Sequence, residues 1–332
     1  KTTHEMFQPM YGSIVLEMVS DSPAGEILGE TTKEYVFEAC GEKLDMAQLQ
    51  EIWEGKLEPV YPYRKAGPTV EKINGKLTAP AAPKIGVAKP KVIIPVFPGT
   101  NCEYDTAKAF ARAGADPEIL VIRNLTPADV AESCKALVKA IDNSQIVMLP
   151  GGFSGGDEPD GSAKFIASFF RSPAVTEAVR DLLQHRDGLM LGICNGFQAL
   201  IKLGLVPYGD IRPITAYDPT LTFNTIGRHQ SMLVRTRVAS TGSPWLSHCD
   251  AGSEYEIAIS HGEGRFVAPQ NVLDQLVANG QVATQYVDLE GEPTMDQRYN
   301  PNGSLLAIEG ITSPDGRVFG KMGHSERSGE YL

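Results

Sequence analysis

Residues 91–332 predict an open, mostly parallel α/β sheet with helices on both faces, preceded by a small α+β segment over residues 1–65. Short apolar runs alternate with amphipathic stretches from residue 91 to residue 203, and polar or glycine-rich turns follow the apolar runs. That alternation implies parallel strands joined by right-handed crossovers. Sheets of this kind place ligands beyond the carboxyl ends of their strands, so the turns after Phe97, Leu149 and Ile193 should share one functional edge.

The elements follow in order. KVIIPVF (91–97) reads as a buried strand, and residues 105–113 as a helix. EILVIRNL (118–125) is a second strand, followed by a helix through 131–141. QIVMLPGGF (145–153) runs from strand into glycine turn, 163–185 is mostly helical, and GLMLGI (188–193) is a fourth strand. Beyond Val206 the chain is richer in β-formers, as in SMLVRTRV, EIAIS and LLAIEGI, which predicts added mixed or antiparallel strands. Residues 66–90 are rich in Pro, Ala, Gly and Lys without periodicity and read as a linker. Before them, GSIVLEMV and EYVFEAC are strand-like. Asp45 precedes a helical stretch with Leu49, Ile52 and Trp53 on one face, closed by Gly55. So little apolar content makes a marginal core. The segment, which opens without Met, therefore reads as the tail of a larger domain.

Composition narrows the function. With 42% hydrophobic and 21% charged residues the chain is of the globular class, and its net charge of −11 gives no reason to expect nucleic acid or an acidic membrane as partner. No apolar run approaches the roughly 20 residues of a membrane span. The five cysteines are odd in number and form no C-x-x-C pair, which argues for reduced thiols, a cytoplasmic location and no structural metal.

GLMLGICNGFQAL carries the strongest local signal. An apolar strand runs through Gly192, Cys194 and Gly196 into an amphipathic helix, the cysteine form of a nucleophile elbow. The thiol sits at a helix N-terminus, where the dipole favours thiolate. Taken alone, G-x-C-x-G is equally well explained by a buried cysteine, so its partners decide. Of the six histidines, His324 stands in GKMGHSERSG with Glu326 at i+2, on the same side of an extended chain, where a carboxylate can orient an imidazole. MLPGGFSGGD offers backbone N–H groups: an amide of Gly152 or Phe153, with that of Asn195, would form an oxyanion hole. Cys102 also falls on the predicted active edge, but it lacks an elbow and a His-x-Glu partner and reads as structural.

PGGFSGGD, GICNGFQAL, SHGEGRF and GHSER, in that order and after FPGTNCEYD, resemble the glutaminase domains of the phosphoribosylformylglycinamidine synthase family, over residues 90–332. The resemblance implies a class I glutamine amidotransferase-like, flavodoxin-like fold, L-glutamine as substrate, Cys194 as nucleophile, His324 as base and Glu326 as its orienter. It also implies that Gly152, Phe153 and Asn195 form the oxyanion and substrate loop, with Gln198 and His261 facing the glutamine. His261 is open to a structural reading, and Arg228 and His229 are left between substrate pocket and domain interface. GSIVLEMV and WEGKLEPVYPYR resemble the end of the synthetase portion in the single-chain form. The partner is then an upstream synthetase domain of the same polypeptide, where ATP and Mg²⁺ act; the glutaminase itself needs no cofactor. The family has an aromatic residue in many members where Gly155 stands here, a departure in the loop that leaves the triad untouched. Two other readings stay open: a γ-glutamyl hydrolase or peptidase of the same fold, and a catalytically silent partner-binding domain.

Overall fold

The computed structural model describes residues 8–20, 25–60, 65–75, 83–154 and 162–328. The chain divides into two units, residues 1–63 and 64–332. In the first, β1 (Val36–Ala39) and β2 (Glu42–Asp45) form a hairpin closed by Cys40 and Gly41, both at positive φ as a tight two-residue hairpin turn requires. Asp45 caps α1 (Met46–Gly55), its carboxylate accepting from the amides of Ala47 and Gln48. No residue of α1 is buried, and Ile52 and Trp53 are exposed. GSIVLEMV, read above as a strand, has no ladder partner among the described residues. Its apolar side chains, Ile14, Val15 and Leu16 among them, lie exposed. A lone extended segment leaves its backbone groups to water, so apolar content alone does not make a strand.

The second unit is built on β3 (Lys91–Val96), α2 (Glu103–Arg112), β4 (Asp116–Val121), α3 (Pro127–Asp142), β5 (Ile146–Leu149), α4 (Lys164–Phe170), α5 (Pro173–Gln184), β6 (Leu189–Ile193) and α6 (Asn195–Leu203). The remainder supplies β7 (Thr220–Thr222), β8 (Gln230–Val238), β9 (Glu254–His261), β10 (Arg265–Val267), α7 (Gln270–Ala278), β11 (Val282–Val287), β12 (Ile308–Thr312) and β13 (Val318–Lys321). Nine strands form one sheet in the order β4-β3-β5-β6-β13-β12-β11-β8-β9. The pairings from β4 to β13 are parallel and those from β13 to β9 antiparallel. The expected mixed sheet is thus present, with its β-rich last third paired antiparallel.

Sequence dictates these elements locally. Thr126 and Asp129 form a reciprocal capping box at the start of α3, with Pro127 in the first turn, where its missing N–H costs nothing. Leu137 and Ile141, one turn apart, are wholly buried on the core face of the same helix. Each such burial stabilises by roughly 1.5–3 kcal/mol. Chain order places β4 on one side of β3 and β5 on the other. The switch point of the chain therefore falls between β3 and β5, and the loops that follow them lie side by side at the carboxyl edge.

The first part of the expected linker is not free. Val70 and Gly75 donate to the carbonyls of Pro293 and Ala239, Met295 and Gln297 donate to those of Pro68 and Lys65, and Arg237 grips the Ile73 carbonyl at 2.8 Å. Ile73 itself is buried. Residues 65–75 are therefore a strap on the second unit, which corrects the expected boundary at 91.

Candidate active site

Cys194 ends β6 with φ +52° and ψ −107°, a strained conformation for a residue with a side chain. The two glycines around it meet a steric demand. A Cβ on Gly196 would lie 1.9 Å from the Leu149 carbonyl oxygen, and one on Gly192 would lie 2.6 Å from Leu200 Cδ1. Only glycine lets α6 pack down on β5 and β6 while the thiol is turned out over the sheet edge.

The sheet register brings the histidine to the thiol. β13 runs parallel to β6 with Lys321 opposite Ile193, and the Cys194 amide donates to the Lys321 carbonyl at 2.8 Å. His324 follows three residues on, its amide bonded to the Ala258 carbonyl at 2.8 Å. Both side chains flank Gly151, where a Cβ would meet His324 Cε1 at 2.7 Å and Cys194 Cβ at 3.5 Å. Glu326 Oε1 accepts from His324 Nδ1 at 2.7 Å, which leaves Nε2 outside that bond. All three side chains are buried. Burial opposes a charge on His324, but hydrogen bonding to Cys102, Cys194 and Glu326 outweighs it and pushes the imidazolium up to about 12.

The loop after β5 is stapled to the loop after β3. Phe153 donates to the Gly99 carbonyl at 2.8 Å and Asn101 to the Gly151 carbonyl at 3.2 Å, pairing Thr100 with Gly152. Gly152 has φ +144°, and a Cβ there would lie 2.6 Å from Gly99 O and from Thr100 Cα. Of the two amides expected to serve an oxyanion, that of Phe153 is thus committed elsewhere. The Gly152 amide has no backbone acceptor among the described residues. The Asn195 amide, first of α6, has no intrahelical acceptor.

Side chains lock this arrangement. Asn195 Oδ1 accepts from the Ser154 amide at 3.2 Å, Asn195 Nδ2 donates to Gln198 Oε1 at 2.9 Å, and Gln198 Nε2 donates to the Glu263 carbonyl. Each end of the Gln198 side chain, which the resemblance has helping to hold glutamine, thus has a protein partner. Glu263 Oε2 in turn accepts from the Ser162 amide at 3.0 Å. Gly155 lies outside the described residues.

His261 is brought to the same edge by β9. Asn302 Nδ2 donates to its Nε2 at 3.1 Å, so the ring is neutral with its proton on Nδ1, which is buried without a partner. Burial above all, then the charges of His324 and His229, pull it down to about 3. The buried His261 gives stability a pH dependence. Below the ordinary value of 6.5 the unfolded chain takes a proton that folded His261 refuses, so stability falls toward pH 3. We expect the urea midpoint to fall as the pH drops from about 6.5 toward 3, by up to about 1.4 kcal/mol of stability per pH unit. A midpoint that is flat from about pH 4 to about pH 6.5 would contradict it.

His229 Nε2 meets Ser260 Oγ at 2.9 Å and its ring lies 6.1 Å from that of Phe153, which puts it beside the loop after β5. Arg228 accepts through its carbonyl from Asn224. Two contributors went unread in the sequence, and a third was read there only as structural. The Ser260 carbonyl lies 3.8 Å from Cys194 Sγ. Glu309, wholly buried, accepts from the Gly323 amide at 2.6 Å and so anchors the turn that carries His324. Cys102, expected to be merely structural, has its sulfur 3.8 Å from His324 Nδ1.

Residues 89–332 match the model of the CobB/CobQ-like glutamine amidotransferase domain. The chain belongs to this glutamine amidotransferase family. Among its relatives, the phosphoribosylformylglycinamidine synthase subunit PurQ of Aquifex aeolicus is 35% identical over 242 residues, covering 72% of this chain and 92% of the relative. That of Symbiobacterium thermophilum is 37% identical over 240 residues, with coverages of 71% and 87%. Among solved structures, that of PurLQS from Thermotoga maritima superposes with a TM-score of 0.53 at 27% identity, over 74% of this chain and 91% of that one. The α/β fold found here is therefore that of an amidotransferase domain.

Proposed function

We propose that this chain hydrolyses L-glutamine as the ammonia-supplying part of a phosphoribosylformylglycinamidine synthase, with Cys194 as nucleophile, His324 as base and Glu326 as its orienter. The observation that carries this reading is the packing of Cys194 and His324 on one glycine, Gly151, with Glu326 closing on His324 Nδ1. The thiolate attacks the side-chain amide carbon, and the carbonyl electrons move to oxygen, where the amides of Asn195 and Gly152 receive the charge. His324 gives its proton to the leaving nitrogen, the C–N bond breaks and ammonia departs, leaving a γ-glutamyl thioester. Water, deprotonated by His324, then attacks the thioester, releasing glutamate and restoring the thiolate.

The relatives are named as subunits of the synthase, which supports a synthetase as the consumer of the ammonia. There, ATP would activate the amide of formylglycinamide ribonucleotide and ammonia would displace phosphate, with Mg²⁺ at that site. The likeness of GSIVLEMV and WEGKLEPVYPYR to a synthetase terminus supports fusion of both parts in one cytoplasmic polypeptide.

A chloroketone analogue of glutamine tests the reading. Peptide mass spectrometry should find one modified thiol, Cys194, protected by glutamine. Labelling by γ-glutamyl peptide analogues alone would mean a hydrolase, and no labelling would mean a silent binding domain.

A further inference from the structure

Cys102 is the N-cap of α2, 1% exposed, in the loop that follows β3. Its sulfur, a nitrogen of His324 and a carboxylate oxygen of Glu326 lie within 4.8 Å of one another. The thiol donates to Asn101 Oδ1 at 3.1 Å and accepts from Arg327 Nη2 at 3.4 Å. Arg327 belongs to the same turn as the base, its amide bonded to the His324 carbonyl at 3.1 Å, and its guanidinium reaches Asp105 at 3.7 Å. A Cβ on Gly151 would also stand 3.1 Å from this sulfur. Four segments thus meet at Cys102: the β3 loop, the oxyanion loop, the His-x-Glu turn and α2.

We infer that Cys102 is a positioning residue for His324, fixing the plane of the imidazole from the side that Glu326 leaves open; the inference rests on His324 being the base. A single carboxylate at Nδ1 defines one line through the ring and lets the ring pivot about it. The sulfur in contact with the same nitrogen at 3.8 Å hinders that pivot. Arg327 holds the sulfur from behind, so the orientation of the base is set jointly by its own turn and by the loop stapled to Gly151 and Gly152. The oxyanion donors and the base then share one support. Cys102 touches no reacting atom in this scheme.

The test compares Cys102→Ala with Cys102→Ser in the full chain. Misplacing the base should lower glutamine turnover by about 10- to 100-fold in the alanine variant, with the KM for glutamine nearly unchanged. The serine variant, whose hydroxyl keeps a donor and an acceptor at that point, should stay within about threefold of the native rate. The readout that packing alone would not move is the pH dependence of Cys194 alkylation by iodoacetamide, followed on the Cys194 peptide. An imidazolium held less firmly stabilises the thiolate less, so the half-maximal rate should move to higher pH in the alanine variant and return in the serine variant. Arg327→Gln, a change to a half-buried side chain, should move it in the same direction even if Cys102→Ala does not fold. An unmoved alkylation profile in these variants, whatever their melting temperatures, overturns the inference. A native chain that never turns over glutamine would overturn the glutaminase reading instead, and the alkylation profile would still decide the role of Cys102.

Discussion

Replacing Cys194 by serine is expected to reduce glutamine turnover by about 10⁴-fold or more, because members of a catalytic unit fail together when the nucleophile is lost. The hydroxyl has nearly the volume of the thiol, so α6 and β6 should keep their packing and far-UV circular dichroism should not change. Serine is not a substitute in chemistry: the site presents a buried imidazolium suited to stabilising a thiolate, and an alcohol stays protonated there. The backbone offers a second check on the same residue. With φ +52° and ψ −107°, Cys194 holds strain of order 1–3 kcal/mol that a glycine would release. Cys194→Gly should therefore be inactive and yet at least as resistant to urea as the native chain. If Cys194→Ser instead keeps its activity while Cys102→Ser loses it, the nucleophile is Cys102.

The contrast between Cys194 and Cys102 shows which parts of the site were legible in the sequence. The elbow is a local device: strand, Gly192, Cys194, Gly196 and helix must follow one another, and each glycine answers a contact made within the same motif or with the next strand. His324 and Glu326 were legible for a similar reason, two side chains on one face of an extended turn. Cys102 gave no such signal, because its partners His324 and Arg327 arrive from the far end of the chain through the β6–β13 register. Glu309 was hidden in the same way, an acidic residue in an apolar strand whose acceptor role appears only when β12 and β13 pair. The Phe153 amide was assigned to the oxyanion because a glycine turn does not announce which of its N–H groups another loop will take. Residues 65–75 have linker composition, and what holds them is elsewhere: the backbone of residues 293–297 and the side chains of Arg237 and Gln285.

Glu326→Gln should cost nearly as much as loss of the nucleophile, about 10³- to 10⁴-fold in turnover, the scale seen when a catalytic histidine loses its carboxylate. Glu326 Oε1 sits 2.7 Å from His324 Nδ1 in a buried pocket, so it fixes which ring nitrogen carries the proton. An amide there can turn its NH₂ toward Nδ1, forcing the proton onto Nε2, where it blocks acceptance of the thiol proton. The same change removes one of the three groups that hold the imidazolium against burial, so His324 should become neutral at a lower pH. Two readings therefore move together, turnover and the pH at which Cys194 alkylation is half-maximal, while KM stays close to native. Glu326→Asp keeps the charge on a shorter arm and should recover part of the rate. A glutamine variant with native turnover would show that the carboxylate does not orient the base, and the buried pair would then be a feature of stability alone.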